Sequence, residues 1–264
     1  MYLTEEEKAL SSEYLEKGFV IRTVADSDAL NWMQKQFIKI ISDSLGKPFK
    51  GPPIDILNFI HRDVPAEKLN AFRLSVIREI NSLKNFRQMY FRVAKPFLET
   101  LVGNELSMQR RINLSIQLPN DDSSLLATHA DTWSGDSPYE VVVWLPMVDC
   151  YSSKAMYLLP PLDYPELADN FVIQAGNSSE DLYQSIKNKV NWLAVKYGEV
   201  LIFDQSLPHG NRVNKESETR WSLNCRFKGV FTPYGDKKIG EFFEPITLRA
   251  ASQKGMIYKL PKAS

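Results

Sequence analysis

Two stretches, 111–118 and 220–227, alternate strictly between polar and apolar residues, and that two-sidedness is the tightest constraint on how this chain can fold. In the first, Ile112, Leu114, Ile116 and Leu118 alternate with Arg111, Asn113, Ser115 and Gln117; in the second, Trp221, Leu223, Cys225 and Phe227 alternate with Arg220, Ser222, Asn224 and Arg226. Successive side chains of a strand point to opposite faces, so each stretch is predicted to be a strand with one apolar and one polar face. An isolated sheet would turn such polar faces to water. Here the first hundred residues are predicted to be helical and need an apolar sheet surface to cover. If they cover the apolar faces, the polar faces turn inward and line a wet cavity.

The helical signals are local. Thr4 and Glu7 have the spacing of a capping box, Leu10 and Tyr14 continue an apolar stripe, and Gly18 suits the stop. After a short strand, Phe19-Val20-Ile21, a second helix is predicted from Ser27 to Gly46, burying Leu30, Met33, Phe37, Ile40 and Ile41. A third carries Leu69, Phe72, Val76, Ile80 and Leu83 at three- and four-residue spacing, and a fourth runs from Phe86 towards Leu101 with a kink at Pro96. The stretch 47–53 reads as a rigid loop. Further strands are predicted at 140–146, 155–159 and 200–203, with a helix near 179–190. Helices first and strands afterwards predict a mainly β fold, a jelly roll buttressed by N-terminal helices. With no internal repeat or linker-like tract, one domain is expected over 1–264: a helical buttress at 1–105, the β core at 106–235 and a C-terminal extension at 236–264.

Composition narrows the function class. Lys and Arg number 32 against 32 Asp and Glu, so no net field recruits nucleic acid or an acidic membrane. No apolar run reaches the length of a membrane span. The N-terminal segment is acidic and lacks the plan of a signal peptide. The two cysteines, Cys150 and Cys225, are far apart and read as buried thiols of a reducing compartment, so a cytoplasmic protein is expected. The expected partner is a small-molecule substrate; nothing in the sequence sets the oligomeric state.

Of three histidines, His61, His129 and His209, two belong to the chemically informative constellation. His129-Ala130-Asp131 precedes the long central strand, His209 follows 80 residues later in a turn after a strand, and Arg220 opens the next strand. Two imidazoles and a carboxylate can occupy one face of an octahedral Fe(II), leaving adjacent positions open. An arginine beyond the metal can hold a dicarboxylate by a bidentate fork. Each member also has a plainer reading: a polar turn for His129 and Asp131, a satisfied core or surface residue for His209, a surface ion pair for Arg220. The second His-x-Asp, His61-Arg62-Asp63, reads as a helix start, with Asp63 as N-cap and Pro65 behind it, and His61 as structural or rim-lining.

These residues resemble the Fe(II)/2-oxoglutarate-dependent oxygenases in their phytanoyl-CoA hydroxylase-like branch. The likeness spans 111–230 and includes Val143-Trp144-Leu145-Pro146, Ala155-Met156-Tyr157-Leu158-Leu159-Pro160, the run 197–203, His209-Gly210-Asn211, Asn214 and Arg220. It implies a double-stranded β-helix with His129, Asp131 and His209 as ligands of Fe(II), Arg220 on the distal carboxylate of 2-oxoglutarate, and Asn211 helping to hold that co-substrate. Trp144 either walls the same pocket or is a core tryptophan. The resemblance further implies O2-dependent oxidation of a C–H bond coupled to decarboxylation of 2-oxoglutarate. Halogenating relatives replace the carboxylate ligand with a small residue, so Asp131 points to hydroxylation. Arg226 and Asn224 lie beyond Arg220 on the inward face and contact either substrate or a structural carboxylate; Asn113 and Gln117 face the same way. The chain departs from the family pattern at Ser153-Lys154 and at Pro160-Pro161-Leu162-Asp163, on the substrate side. It is also similar to the smaller oxygenases of bacterial carbohydrate and aminoglycoside biosynthetic clusters, which implies a sugar or sugar conjugate as substrate. Two rivals remain: a cupin-like metalloenzyme without 2-oxoglutarate, and a non-catalytic jelly-roll carbohydrate-binding protein.

Overall fold

Hydrogen-bonding side chains set the starts of the first two helices. The computed structural model describes residues 2–171 and 178–261; the last three positions of the expected C-terminal extension and Met1 lie outside the described residues. In α1 (Glu5–Lys17) the capping box is reciprocal: Thr4 Oγ1 accepts from the Glu7 N–H at 3.2 Å and Glu7 Oε2 accepts from the Thr4 N–H at 2.7 Å. After β1 (Phe19–Thr23), α2 (Ser27–Leu45) starts at Asp26, whose Oδ1 accepts from the Ala29 N–H at 2.9 Å. Then come α3 (Pro53–Asn58), α4 (Ala66–Ser82), α5 (Phe86–Arg92) and α6 (Lys95–Leu101).

Three of these depart from expectation. Pro53 opens α3 instead of ending a loop, because a proline at the first helical position forfeits only an N–H that has no partner there. Asp63 does not cap α4; Pro65 holds the N-cap position without a side-chain hydrogen bond, and Asp63 pairs with Lys47. The expected kink at Pro96 is a full break into α5 and α6, with Ala94 leaving helical geometry at φ −121° and Pro96 in the first turn of the new helix.

The strands are β2 (Leu106–Gln109), β3 (Asn113–Gln117), β4 (Glu140–Pro146), β5 (Met156–Leu158), β6 (Asn191–Leu193), β7 (Glu199–Asp204), β8 (His209–Gly210), β9 (Arg220–Gly229) and β10 (Phe243–Pro245). One antiparallel sheet runs β1-β7-β4-β9-β2-β10, with β3 paired to β9 on the edge it shares with β2. A smaller sheet runs β6-β5-β8. This is the jelly roll expected, with helices on one side; helix of all kinds holds 41% of the described residues against 20% in strands. Short helices α7 (Tyr164–Asp169) and α8 (Ser179–Ile186) bury Leu167, Leu182 and Ile186 against Leu159 beside the small sheet, and α9 (Ala250–Met256) lies near the C-terminus. No described helix is long and apolar enough to cross a membrane.

The alternation of β9 resolves as expected. Its apolar face meets the helices: Trp221 is fully buried, edge-on to Phe37 of α2 at 6.1 Å and to Phe72 of α4 at 6.2 Å. The indole Nε1 donates to the Leu57 carbonyl of α3 at 2.8 Å. Tyr90 of α5 donates to the Val143 carbonyl of β4 at 2.8 Å, and helix and strand residues share one apolar core. With that face covered, Arg220, Asn224 and Arg226 turn into a cavity of about 550 Å³ between the sheets.

A candidate metal and co-substrate site

Backbone pairing closes the 80-residue gap between the two histidines. The His129 N–H donates to the His209 carbonyl at 3.1 Å and the His209 N–H returns a bond to the His129 carbonyl at 2.8 Å, an isolated antiparallel bridge beside β8. Asp131 is fixed in turn by its own N–H, which donates to the Gln205 carbonyl at 3.0 Å. The imidazole ring centres lie 4.4 Å apart, and ligand atoms of His129, Asp131 and His209 all lie within 4.8 Å of one another. Each ring is oriented by a backbone carbonyl: His129 Nδ1 lies 2.7 Å from Ala127 O, and His209 Nδ1 lies 2.9 Å from Leu207 O. Those carbonyls accept a proton on Nδ1, which leaves Nε2 of each ring as the free donor pair for a metal, the arrangement ligating histidines need. The triad therefore fits a divalent ion.

The electrostatics favour the metal-binding forms. Burial, then the neighbouring His129, pushes the His209 imidazole down to about 4, so it is neutral at physiological pH. Burial alone would raise the Asp131 carboxyl, but His129 at 3.4 Å and the Arg226 charge outweigh it and hold Asp131 well below the usual carboxylate range. The depressed His209 value has a consequence for stability. The unfolded chain takes up that proton near pH 6.5 while the folded one refuses it until about 4, so stability is full above pH 6.5 and falls as pH drops through this window. Metal-free protein is expected to lose about 3 kcal/mol across it. Urea midpoints measured at closely spaced pH should show this slope, and His209→Gln should flatten it.

Arg220 faces the same cavity from the start of β9 and is 3% exposed. Among the described residues no carboxylate pairs with it. Its neighbours are Gln117 Oε1, which accepts from Nη1 at 3.4 Å, the Cys150 thiol, and the Trp144 ring at 5.4 Å. Its Nε has no partner among the described residues either. A buried guanidinium left this way carries a desolvation cost, and burial lowers its pKa.

The other residues singled out in the sequence divide. Trp144, Asn211, Asn113, Asn224 and Arg226 line the cavity with His129, Asp131 and His209. Asn113 Nδ2 donates to Asn224 Oδ1 at 3.1 Å, joining β3 and β9 across the cavity wall. Asn211 Oδ1 accepts from the Leu126 N–H at 2.8 Å and so ties down the cavity-lining loop 123–126. Gln117 does not line the cavity: it stands opposite Arg220 in the β3–β9 register, fully buried, with Nε2 donating to the Arg212 carbonyl at 2.6 Å. Its Oε1 accepts from Arg220 Nη1 at 3.4 Å. Arg226 meets a carboxylate, Asp131, at 2.6 Å. His61 sits apart from the cavity, Nδ1 3.0 Å from Thr219 Oγ1.

The departures from the family pattern are also placed. Lys154 is fully buried, its Nζ 2.8 Å from Glu218 Oε2 and 3.4 Å from Asn58 Oδ1, tying α3 to the turn before Arg220. Sequence reasoning missed Gln205, Asp136 and Gln109, which surround Arg226, and the wall supplied by Ala66, Asn70 and Arg73 of α4. The one available signal was Asp136 five positions after Asp131, which has no chemical meaning until the loop is folded.

No protein-family model matches the chain, and no curated protein matches it. Solved structures do. A non-heme monooxygenase, ThoJ in complex with nickel, superposes with a TM-score of 0.57 at 13% identity, covering 92% of this chain and 85% of its own. EctD from S. alaskensis with bound Fe gives 0.53 at 14% identity, covering 88% and 79%. The non-heme alpha ketoglutarate dependent epimerase SnoN from nogalamycin biosynthesis gives 0.51 at 14% identity, covering 85% and 84%. At such identities the likeness establishes the shared jelly-roll fold.

Proposed function

We propose that this chain is an Fe(II)- and 2-oxoglutarate-dependent oxygenase of the phytanoyl-CoA hydroxylase-like type, acting on a C–H bond of a polar small molecule, a sugar or sugar conjugate. One observation carries the reading: a His-Asp-His triad able to hold a metal shares its cavity with a buried arginine that has no carboxylate of its own. The structural neighbours support it, since they include an alpha ketoglutarate dependent epimerase and EctD with bound Fe. They also include a carbocyclase, so the product of C–H oxidation is open to the substrate geometry.

His129, Asp131 and His209 would hold Fe(II), which with bound 2-oxoglutarate and O2 supplies the oxidising power. The protein's own work is positional. Arg220 forks the distal carboxylate of 2-oxoglutarate against the Trp144 wall, with Gln117 holding the guanidinium from behind. Asn211 steadies the loop 123–126, and Asn113 with Asn224 offers amides to a hydroxyl-rich substrate entering past Asn70 and Arg73. The whole of 1–264 works as one unit. Two buried free thiols suit a reducing cytoplasm.

Anaerobic titration of metal-free protein with Fe(II) and then 2-oxoglutarate tests the reading. A weak visible charge-transfer band from the chelated 2-oxo acid is expected in wild type, lost in Asp131→Ala and weakened in Arg220→Ala. Folded wild-type protein without that band would return the chain to the metal-only cupin or the carbohydrate-binding rival.

A further inference from the structure

On sequence alone Arg226 contacts either substrate or a structural carboxylate, and in the structure none of its guanidinium nitrogens is free. Nη2 donates to Asp131 Oδ2 at 2.6 Å, Nε to Gln205 Oε1 at 2.9 Å and Nη1 to Gln109 Oε1 at 3.4 Å. Nε also lies 3.2 Å from Asp136 Oδ1, an ion-pair contact without hydrogen-bond alignment. The Asp136 side chain is wholly buried, and its other oxygen takes the Nζ of Lys237 from the C-terminal segment. Charges therefore alternate along a buried line, Lys237, Asp136, Arg226, Asp131, that begins at the surface and ends at the triad.

The backbone is built to hold this line. The Asp236 N–H donates to the Gly135 carbonyl at 2.9 Å, and Ser137 Oγ donates to the Pro233 carbonyl at 2.7 Å. The two segments approach so closely that a Cβ on Gly235 would sit 2.4 Å from the Gly135 carbonyl oxygen, and Gly135 itself needs φ +84°. Gln205 is fixed in turn, donating to Glu140 Oε2 at 2.9 Å.

We propose that Arg226 is a positioning residue that occupies Asp131 Oδ2 and so confines the aspartate to one-oxygen metal binding through Oδ1, with Lys237 acting on the metal site through Asp136 and Arg226. The inference rests on the metal-binding reading above. Oδ1 is the oxygen on the triad side, 3.4 Å from His129 Nε2. Coordination through one oxygen keeps three positions of an octahedral ion open, enough for a chelating 2-oxo acid and a further ligand; a second aspartate oxygen would take one of them. A partner fixing an outer oxygen is the usual means of orienting a carboxylate ligand.

The test is Co(II) binding to metal-free protein, followed by the visible ligand-field spectrum, in wild type, Asp131→Ala, Arg226→Met, Lys237→Met and the Arg226→Met/Lys237→Met double variant. Thermal midpoints of the metal-free forms report folding. Arg226→Met should raise the Co(II) Kd about 10- to 100-fold and shift the spectrum as Oδ2 enters the coordination sphere. Lys237→Met, a change at a partly exposed side chain, should move both in the same direction by a smaller factor. The double variant should bind no worse than Arg226→Met alone, because the lysine acts only through the arginine. Wild-type Kd and spectrum in either single variant would overturn the proposal while leaving the metal reading intact; so would additive losses in the double variant, which overturn the lysine's indirect action. Failure of wild type to bind Co(II) would overturn both. Should Arg226→Met not fold, Lys237→Met and Arg226→Lys carry the same readouts.

Discussion

Arg220→Met is expected to weaken 2-oxoglutarate binding to the Fe(II)-loaded protein by roughly 100-fold or more, the usual consequence of removing one partner of a buried charge pair, about 3 kcal/mol. The same substitution should leave the metal-free protein as stable as wild type, or more so. Both follow from one fact: Arg220 is buried, and among the described residues no carboxylate pairs with it and its Nε has no partner. A buried cation serving the fold would be neutralised by an acid, as Lys154 is by Glu218 and the half-buried Arg87 by Glu244. Here the fold bears the desolvation of a cation that, under the proposed function, gains its counter-charge from 2-oxoglutarate. Methionine has a comparable length and no charge, so it relieves that cost. Calorimetry with 2-oxoglutarate and thermal unfolding without it separate the two effects. A variant that unfolds early but binds 2-oxoglutarate normally would make Arg220 structural and remove the co-substrate from the reading.

How far the sequence could be read depended on whether a feature was encoded locally. The capping box at Thr4 and the alternation of β9 were legible because each lies within a few residues: one pairs Thr4 with Glu7, the other needs only a period of two. The inward turn of the polar face followed from asking what the helices must cover, and Trp221 between Phe37 and Phe72 shows that they cover the opposite face. The triad was legible as residue types, but not as a contact. His129 and His209 meet through a two-residue strand and a single bridge, too short to leave a periodic trace. The same limit hid the surroundings of Arg226. Gln109, Asp136, Gln205 and Lys237 come from four separate segments, and only the folded backbone puts them within reach. Gln117 shows the reverse error: its face was read correctly, but its place at the end of β3, opposite Arg220, puts it behind the guanidinium and away from the cavity. Pro52-Pro53 misled because two prolines suggest a loop, whereas the second is an acceptable first residue of a helix.

Trp221→Ala is expected to cost about 3–5 kcal/mol, the range for truncating a buried large aromatic, and to lower the thermal midpoint by roughly 6–20 °C. Trp221 ties three helices to the sheet at once. Its ring meets α2 and α4 edge-on, and its indole N–H satisfies a carbonyl of α3. Removing it opens a void under three helices and strips the Leu57 carbonyl of its donor, a loss that adds to the missing apolar contact. Trp221→Phe keeps much of the packing but not the hydrogen bond, so it should fall between wild type and alanine in urea unfolding. The effect should reach the site as well. Trp221 is the neighbour of Arg220 on β9, and helix cover on one face of that strand is what commits Arg220, Asn224 and Arg226 to the other. A folded Trp221→Ala protein at low temperature should therefore bind 2-oxoglutarate more weakly than Trp221→Phe, although neither substitution touches the cavity. A loss below about 1 kcal/mol would instead mean that the helical layer stands without this contact, and that the inward turn of the polar face is imposed by the strand pairing of β9 with β3 and β4.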